Sequence, residues 1–161
     1  MIVVSDASPL IALSAVARLD LLRELFETVL IPEAVYVEIV QLGTGLPGAK
    51  EVDEAEWITP GVVGNIGFVK VLGLDLDPGE SEAIVLALEN GADLLLMDER
   101  KARRTANRLG LKVAGTLGLL VLAKQQGLLQ EIRPVLDALV NQAGLRISSG
   151  VYQQTLRLAG E

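Results

Sequence analysis

Four acids, Asp6, Glu38, Glu82 and Asp98, stand in settings where a carboxylate could do chemistry. Asp6 follows the apolar run Ile2-Val3-Val4 after one residue, and Asp98 follows Leu94-Leu95-Leu96-Met97 directly. In an open parallel sheet, ligands bind beyond the carboxyl ends of the strands, so both acids belong at one sheet edge although they are far apart in sequence. Glu38 lies along the helical stripe Val35, Ile39, Leu42, where a carboxylate costs free energy unless a cation or donor meets it. Glu82 falls in the first turns of a helix that begins at Asp77, where Glu80 already has a reciprocal capping role and Glu82 is left for chemistry. Acids brought together repel, and a divalent ion that prefers oxygen ligands is the usual remedy. Each also has an ordinary explanation: a turn or cap after a strand for Asp6 and Asp98, a helix-dipole partner for Glu82, and a boundary residue reaching water for Glu38.

The rest of the composition narrows the chemistry. Cysteine and histidine are both absent, which removes disulfides, thiolate nucleophiles, Ser-His-Asp and Cys-His triads, and the common zinc sites. The formal charge of −7 argues against polyanion binding over the whole surface. Locally the balance reverses, because Arg100, Lys101, Arg103, Arg104, Arg108 and Lys112 gather six of the fourteen cations close to Asp98. Arg100, Arg104 and Arg108 share one helical face, apart from Ala102, Ala106 and Leu109, and that face could track phosphates or simply be solvated.

The elements that must position these residues can be read from apolar runs and caps. Strands are expected at Ile2–Val4, Val29–Ile31, Trp57–Ile58, Leu94–Met97 and Lys112–Ala114, with a further extended stretch from Phe68 to Leu72 among the glycines of 61–73. Helices are expected after a Ser8 cap with Pro9 in the first position, around Leu19–Phe26, from Pro32 to near Gly43, and from Asp77 to Asn90-Gly91. Further helices are expected over Glu99–Leu109, from a Thr116 cap through Lys124, over Gln130–Asn141, and from Ser148 or Ser149 to Leu158. Strands alternating with helices imply right-handed crossovers and an α/β three-layer sandwich around a mainly parallel central sheet. The whole chain, 1–161, reads as one domain, with its core over about 1–125 and a helical extension over about 126–161.

No cation precedes the apolar run Pro9–Ala17, and Asp6 and Pro9 interrupt its start, so it does not read as a signal peptide. Val113–Ala123 is far short of the roughly 18 residues a membrane span needs. The expected location is the cytoplasm.

Together these segments resemble the PIN-domain family of metal-dependent ribonucleases, a Rossmann-like fold that includes VapC-like toxin subunits of prokaryotic toxin–antitoxin pairs. Ser5-Asp6-Ala7-Ser8-Pro9-Leu10-Ile11 resembles its first strand and acid, and Ile31-Pro32-Glu33-Ala34-Val35-Tyr36-Val37-Glu38 its second. Gly79-Glu80-Ser81-Glu82-Ala83-Ile84 resembles the helix start bearing the third acid, usually Asp, and Leu94–Asp98-Glu99 the strand bearing the fourth. Met97 replaces the Thr or Ser common before that last acid, and Glu99 is an adjacent carboxylate that could share or replace the role of Asp98. The resemblance implies Mg²⁺ or Mn²⁺ held by Asp6, Glu38, Glu82 and Asp98, RNA as substrate, Ser8 as an orienting hydroxyl, and an antitoxin protein or a second copy as partner. Two rivals remain. A receiver-type signalling module wants paired acids after the first strand and a lysine after the last, whereas Ser5-Asp6 supplies one acid and Lys112 begins the last strand. A PIN-like subunit that binds a partner without turnover would use exposed apolar helices near Leu119–Leu122 or in the tail.

Overall fold

A computed structural model describes residues 1–161. In chain order the elements are β1 (Val3–Ser5), α1 (Ala7–Ala15), α2 (Asp20–Phe26), β2 (Val29–Pro32), α3 (Glu33–Tyr36) running into a π-helical turn (Val37–Gln41), α4 (Ala49–Glu54) and β3 (Ile58–Gly61). There follow α5 (Ile66–Leu72), α6 (Pro78–Glu89), β4 (Leu94–Leu96), α7 (Arg100–Arg108), β5 (Val113–Ala114), α8 (Thr116–Gln125), α9 (Arg133–Asn141) and α10 (Ser149–Leu158). All five strands are parallel, in the order β3-β2-β1-β4-β5. No helix is long and apolar enough to cross a membrane.

The alternation of side chains along each strand divides the interior in two. Val3 and Leu96 face a larger cluster shared with α1, α2, α8, α9 and α10; Val4, Leu95 and Met97 face a smaller one shared with α6 and α7. With both faces covered, the strands carry the near-continuous apolar runs that made them legible. The tail belongs to this packing: Ile132, Leu136 and Leu139 of the α9 region and Leu156 of α10 are buried in the larger cluster.

Several boundaries differ from the sequence expectation, each for a local reason. Asp6, not Ser8, is the extended N-cap of α1, and Ser8 lies exposed in the first turn; Pro9 is then third in the helix, where its missing N–H still costs no intrahelical bond. Pro32 ends β2 and caps α3 instead of opening it. Phe68–Leu72 is helical: Asn65 accepts from the Phe68 N–H at 3.0 Å, and α5 packs on α6, so a cap and a tertiary contact override the β-branched composition. The short helix α4 carried no clear sequence signal. Thr116 is the first residue of α8 and not its cap. Within Leu119–Leu122, Leu119 and Leu120 are buried in the core while Val121 and Leu122 are partly buried, so this stretch of α8 offers little free apolar surface.

Helix α9 starts at Arg133, and its free N–H groups are met from far along the chain. The Glu161 carboxylate accepts from Ile132 N at 2.7 Å and Arg133 N at 3.3 Å, and pairs with Lys124 Nζ at 2.9 Å. Burial opposes the charge on Glu161, but these donors outweigh it and its pKa lies below the ordinary value. Glu161→Ala should cost about 1–2 kcal/mol, the range for losing a helix cap. Urea unfolding at pH 7 should show the full loss, and the difference from wild type should shrink as pH falls through the folded-state pKa of Glu161, where the wild-type carboxylate also loses its charge.

Candidate active site

The strand order reverses direction between β1 and β4, the position where an open parallel sheet forms a crevice at its carboxyl edge. Asp6 leaves β1 there, its N–H held by Leu96 O at 2.9 Å. It caps α1 by backbone conformation alone, without a side-chain cap bond. Its side chain is buried, and burial lifts its pKa from 3.8 to about 7. The Ala7 backbone N–H tempers the rise, while the negative charges of Asp77, Glu80 and Glu38 add to it.

Those three neighbours arrive on two elements. Asp77 and Glu80 form the expected capping box at the start of α6: Glu80 N donates to Asp77 Oδ1 at 2.7 Å, and Asp77 N to Glu80 Oε1 at 3.0 Å. The box uses one oxygen of Glu80. The other, Oε2, is buried with no hydrogen-bond partner. Burial raises the Glu80 pKa from 4.5 to about 7; the Asp77 backbone N–H works against this, and the Asp77 carboxyl and the Glu99 charge reinforce it. Glu38 comes from the π-helical turn, a widened register that re-aims a side chain relative to an uninterrupted α-helix. Its pKa is raised by partial burial and then by Asp77. Gly79 lies between the two strand-side acids: a Cβ there would sit 3.3 Å from both Asp6 Oδ1 and Glu38 Oε1. The missing side chain keeps the space between them open.

Glu82 goes elsewhere. Residues two apart on a helix point in nearly opposite directions, so α6 cannot present both Glu80 and Glu82 to Asp6. The Glu82 carboxylate instead accepts from Ala34 N at 3.3 Å, at the start of α3. The acid of α6 whose charge reaches Asp6 is therefore Glu80, with Asp77 beside it.

At the end of β4, Asp98 and Glu99 divide the work. Both oxygens of Asp98 accept from Thr116, one from its N–H and one from its hydroxyl, each at 2.7 Å. Glu99 caps α7 through Ala102 N at 2.8 Å and is the one whose charge reaches Glu80. Gly115 allows the close approach: a Cβ would fall 2.8 Å from Asp98 Oδ1 and 3.0 Å from an Arg103 guanidinium nitrogen. From Asp98 a groove of about 860 Å³ runs along α7, lined by Arg100, Arg103, Arg104 and Arg108 and, from the tail, Arg146.

The sequence profile of a family described as PIN domain matches residues 2–161. The chain belongs to the PIN-domain family. Comparison with curated proteins gives no match. PIN domains are in general nucleases and typically use divalent metal ions. The acids of this PIN domain suit such an ion: every donor is a hard oxygen, Glu80 Oε2 is buried without a partner, and Gly79 leaves room between Asp6 and Glu38. No three of them converge as they stand, so enclosing an ion requires side-chain rotation, which the exposed Glu38 and Glu99 permit.

The structure sets Asp6, Asp98 and the start of α6 near one sheet edge, and beside them it brings Asp77 and Glu80, expected only as caps, Thr116, expected only as a helix cap, and Arg146, not singled out in the sequence. Asp77 and Glu80 are legible as a capping box, a signature that says nothing of the nearness of their charges to Asp6. Arg146 gave no signal, because it lies in a loop far from the basic helix it joins.

Proposed function

We propose that this PIN domain is a metal-dependent endoribonuclease, with Asp6, Glu38, Glu80, Asp98 and Glu99 holding Mg²⁺ or Mn²⁺ and the arginines of α7 binding RNA. The observation that carries this is the pair of buried acids, Asp6 and Glu80, at the carboxyl edge with one Glu80 oxygen unpartnered, beside a groove lined with arginine. Bound there, Mg²⁺ or Mn²⁺ would supply Lewis acidity and a lowered pKa for water. Asp6, whose pKa is lifted to about 7 without metal, would give up its proton when the ion binds, since a neighbouring divalent charge favours the carboxylate. Asp98 keeps lone pairs free beyond its bonds to Thr116, and Thr116 fixes its orientation. Glu82 is a positioning residue, anchoring the amino end of the helix that leads to Glu38. Ser8, exposed two residues after Asp6, would orient substrate.

The test is cleavage of structured and single-stranded RNAs by the full chain with Mg²⁺, with Mn²⁺ and with chelator. Metal-dependent cleavage supports the reading; no cleavage and no metal binding by calorimetry sinks it. A second reading, a partner-binding subunit without turnover, then takes over. It is favoured by the apolar side chains left exposed around α5, among them Val62 at 72%, Val71 at 62% and Leu74 at 83%. The same face would serve an antitoxin protein or a second copy of the chain if the protein is a cytoplasmic toxin.

A further inference from the structure

We propose that the groove between α7 and the segment entering α10 is a track for the phosphodiester backbone of single-stranded RNA, built jointly by the basic helix and the tail. It deepens the nuclease reading, and rests on it for what the strand is led to.

Charge is the first argument. Five of the fourteen cations, Arg100, Arg103, Arg104, Arg108 and Arg146, line one groove in a chain of net charge −7. None is engaged by an acid, since the three ion pairs of the molecule are Arg18–Asp20, Lys101–Asp75 and Lys124–Glu161. Asp98, the one acid in the lining, has both oxygens bound by Thr116. Unpaired guanidinium groups held this close repel one another, and a run of anionic oxygens removes that repulsion through bidentate hydrogen bonds.

Shape is the second. Only two of the ten lining residues, Ile147 and Val151, are hydrophobic, while five are arginines whose stems wall the groove and whose charged heads suit a polyanion. The groove is lined by α7 and by residues 146–148 and 151, and the flexible backbone of a single strand can follow such a recess, as strands do in basic grooves. From Arg100 to Arg108 the helix rises about 12 Å, enough for several successive phosphates. Its upper end is Asp98, at the same sheet edge as Asp6, so a strand with one phosphate among the acids continues naturally into the arginines. The tail thereby gains a role in binding: Arg146 closes the side of the groove opposite α7, next to Ser148 at the amino end of α10.

The experiment is fluorescence anisotropy of a labelled single-stranded RNA with the full chain in chelator, where no cleavage intervenes, from 50 to about 200 mM salt. Arg146→Gln, Arg104→Gln and Arg108→Gln should each weaken binding roughly three- to tenfold at low salt and reduce the slope of log K against log salt by about 0.7. Arg146→Glu should weaken it further, and Arg23→Gln, on α2, should change nothing. Circular dichroism should show all variants folded, because these side chains are on the surface. Wild-type affinity and slope for both Arg146 variants, or tighter binding of duplex than of single strand, would overturn the proposal. Metal-dependent cleavage with unaltered Arg146→Gln binding removes the track and leaves the nuclease. The expected binding losses without any cleavage leave the track and remove the nuclease.

Discussion

Asp6→Asn should abolish metal-dependent cleavage and yet, at pH 8 in chelator, unfold at higher urea concentration than the wild type. The loss of turnover follows from removing a charged oxygen at the centre of the acid cluster and should be on the order of a hundredfold or more. The gain in stability follows from the pKa, which burial and three acidic neighbours lift from 3.8 to about 7 in the folded chain. Between those values the folded protein holds a proton that the unfolded chain has released, so wild-type stability falls as pH rises through that window. A shift of that size corresponds to about 4 kcal/mol above pH 7. Asparagine carries no such cost. At pH 4, where the wild-type carboxyl is protonated in the fold, the two proteins should be similar; adding Mg²⁺ at pH 8 should raise the wild type and leave the variant unmoved. Equal urea midpoints at pH 8 would mean that the Asp6 carboxylate is solvated, and normal cleavage by the variant would end its catalytic role.

Glu80→Gln and Glu82→Gln should separate cleanly although the residues are two apart. With Oε2 buried and unpartnered and its pKa raised to about 7, Glu80 behaves like Asp6: its replacement should reduce cleavage roughly a hundredfold while stabilising the metal-free protein above pH 7. Glu82→Gln weakens one hydrogen bond to Ala34 N, worth about 0.5–1.5 kcal/mol, and should lower cleavage less than tenfold through a small displacement of the helix before Glu38. The measurement is initial cleavage rate at saturating Mn²⁺ together with urea midpoints. The opposite ranking would return the third acid to Glu82.

The ambiguity at that helix shows where the sequence runs out. Asp6 and Asp98 were legible because a parallel strand buried on both faces is an uninterrupted apolar run, and the residue just past it must lie at the ligand edge. Choosing between Glu80 and Glu82 requires the rotation of α6 about its axis, which is set by packing of Ala83, Ile84 and Leu86 and not by the capping signature. Glu38 lay on the expected helical segment, but the π-helical turn that presents it has no sequence mark here. Phe68–Leu72, expected as extended, is helical because Val and Phe favour strands only where a sheet edge is available, and the edge on that side of the sheet is already occupied by β3, paired with β2. The groove could not have been assembled from sequence, since Arg146 meets the α7 arginines only after α8 and α9 have turned the chain back.

The strand order carries one more implication. β3, β2 and β1 come from residues before 62, and β4 and β5 from residues after it. The crevice lies on the line where these portions meet. Asp6 and Glu38 come from the earlier portion, while Asp77, Glu80, Asp98, Glu99 and every arginine of the groove come from the later one. In the language of complementation, neither portion owns the site: the earlier carries two of its acids and none of its arginines, the later four acids and all five arginines, and activity would be a property only of their union.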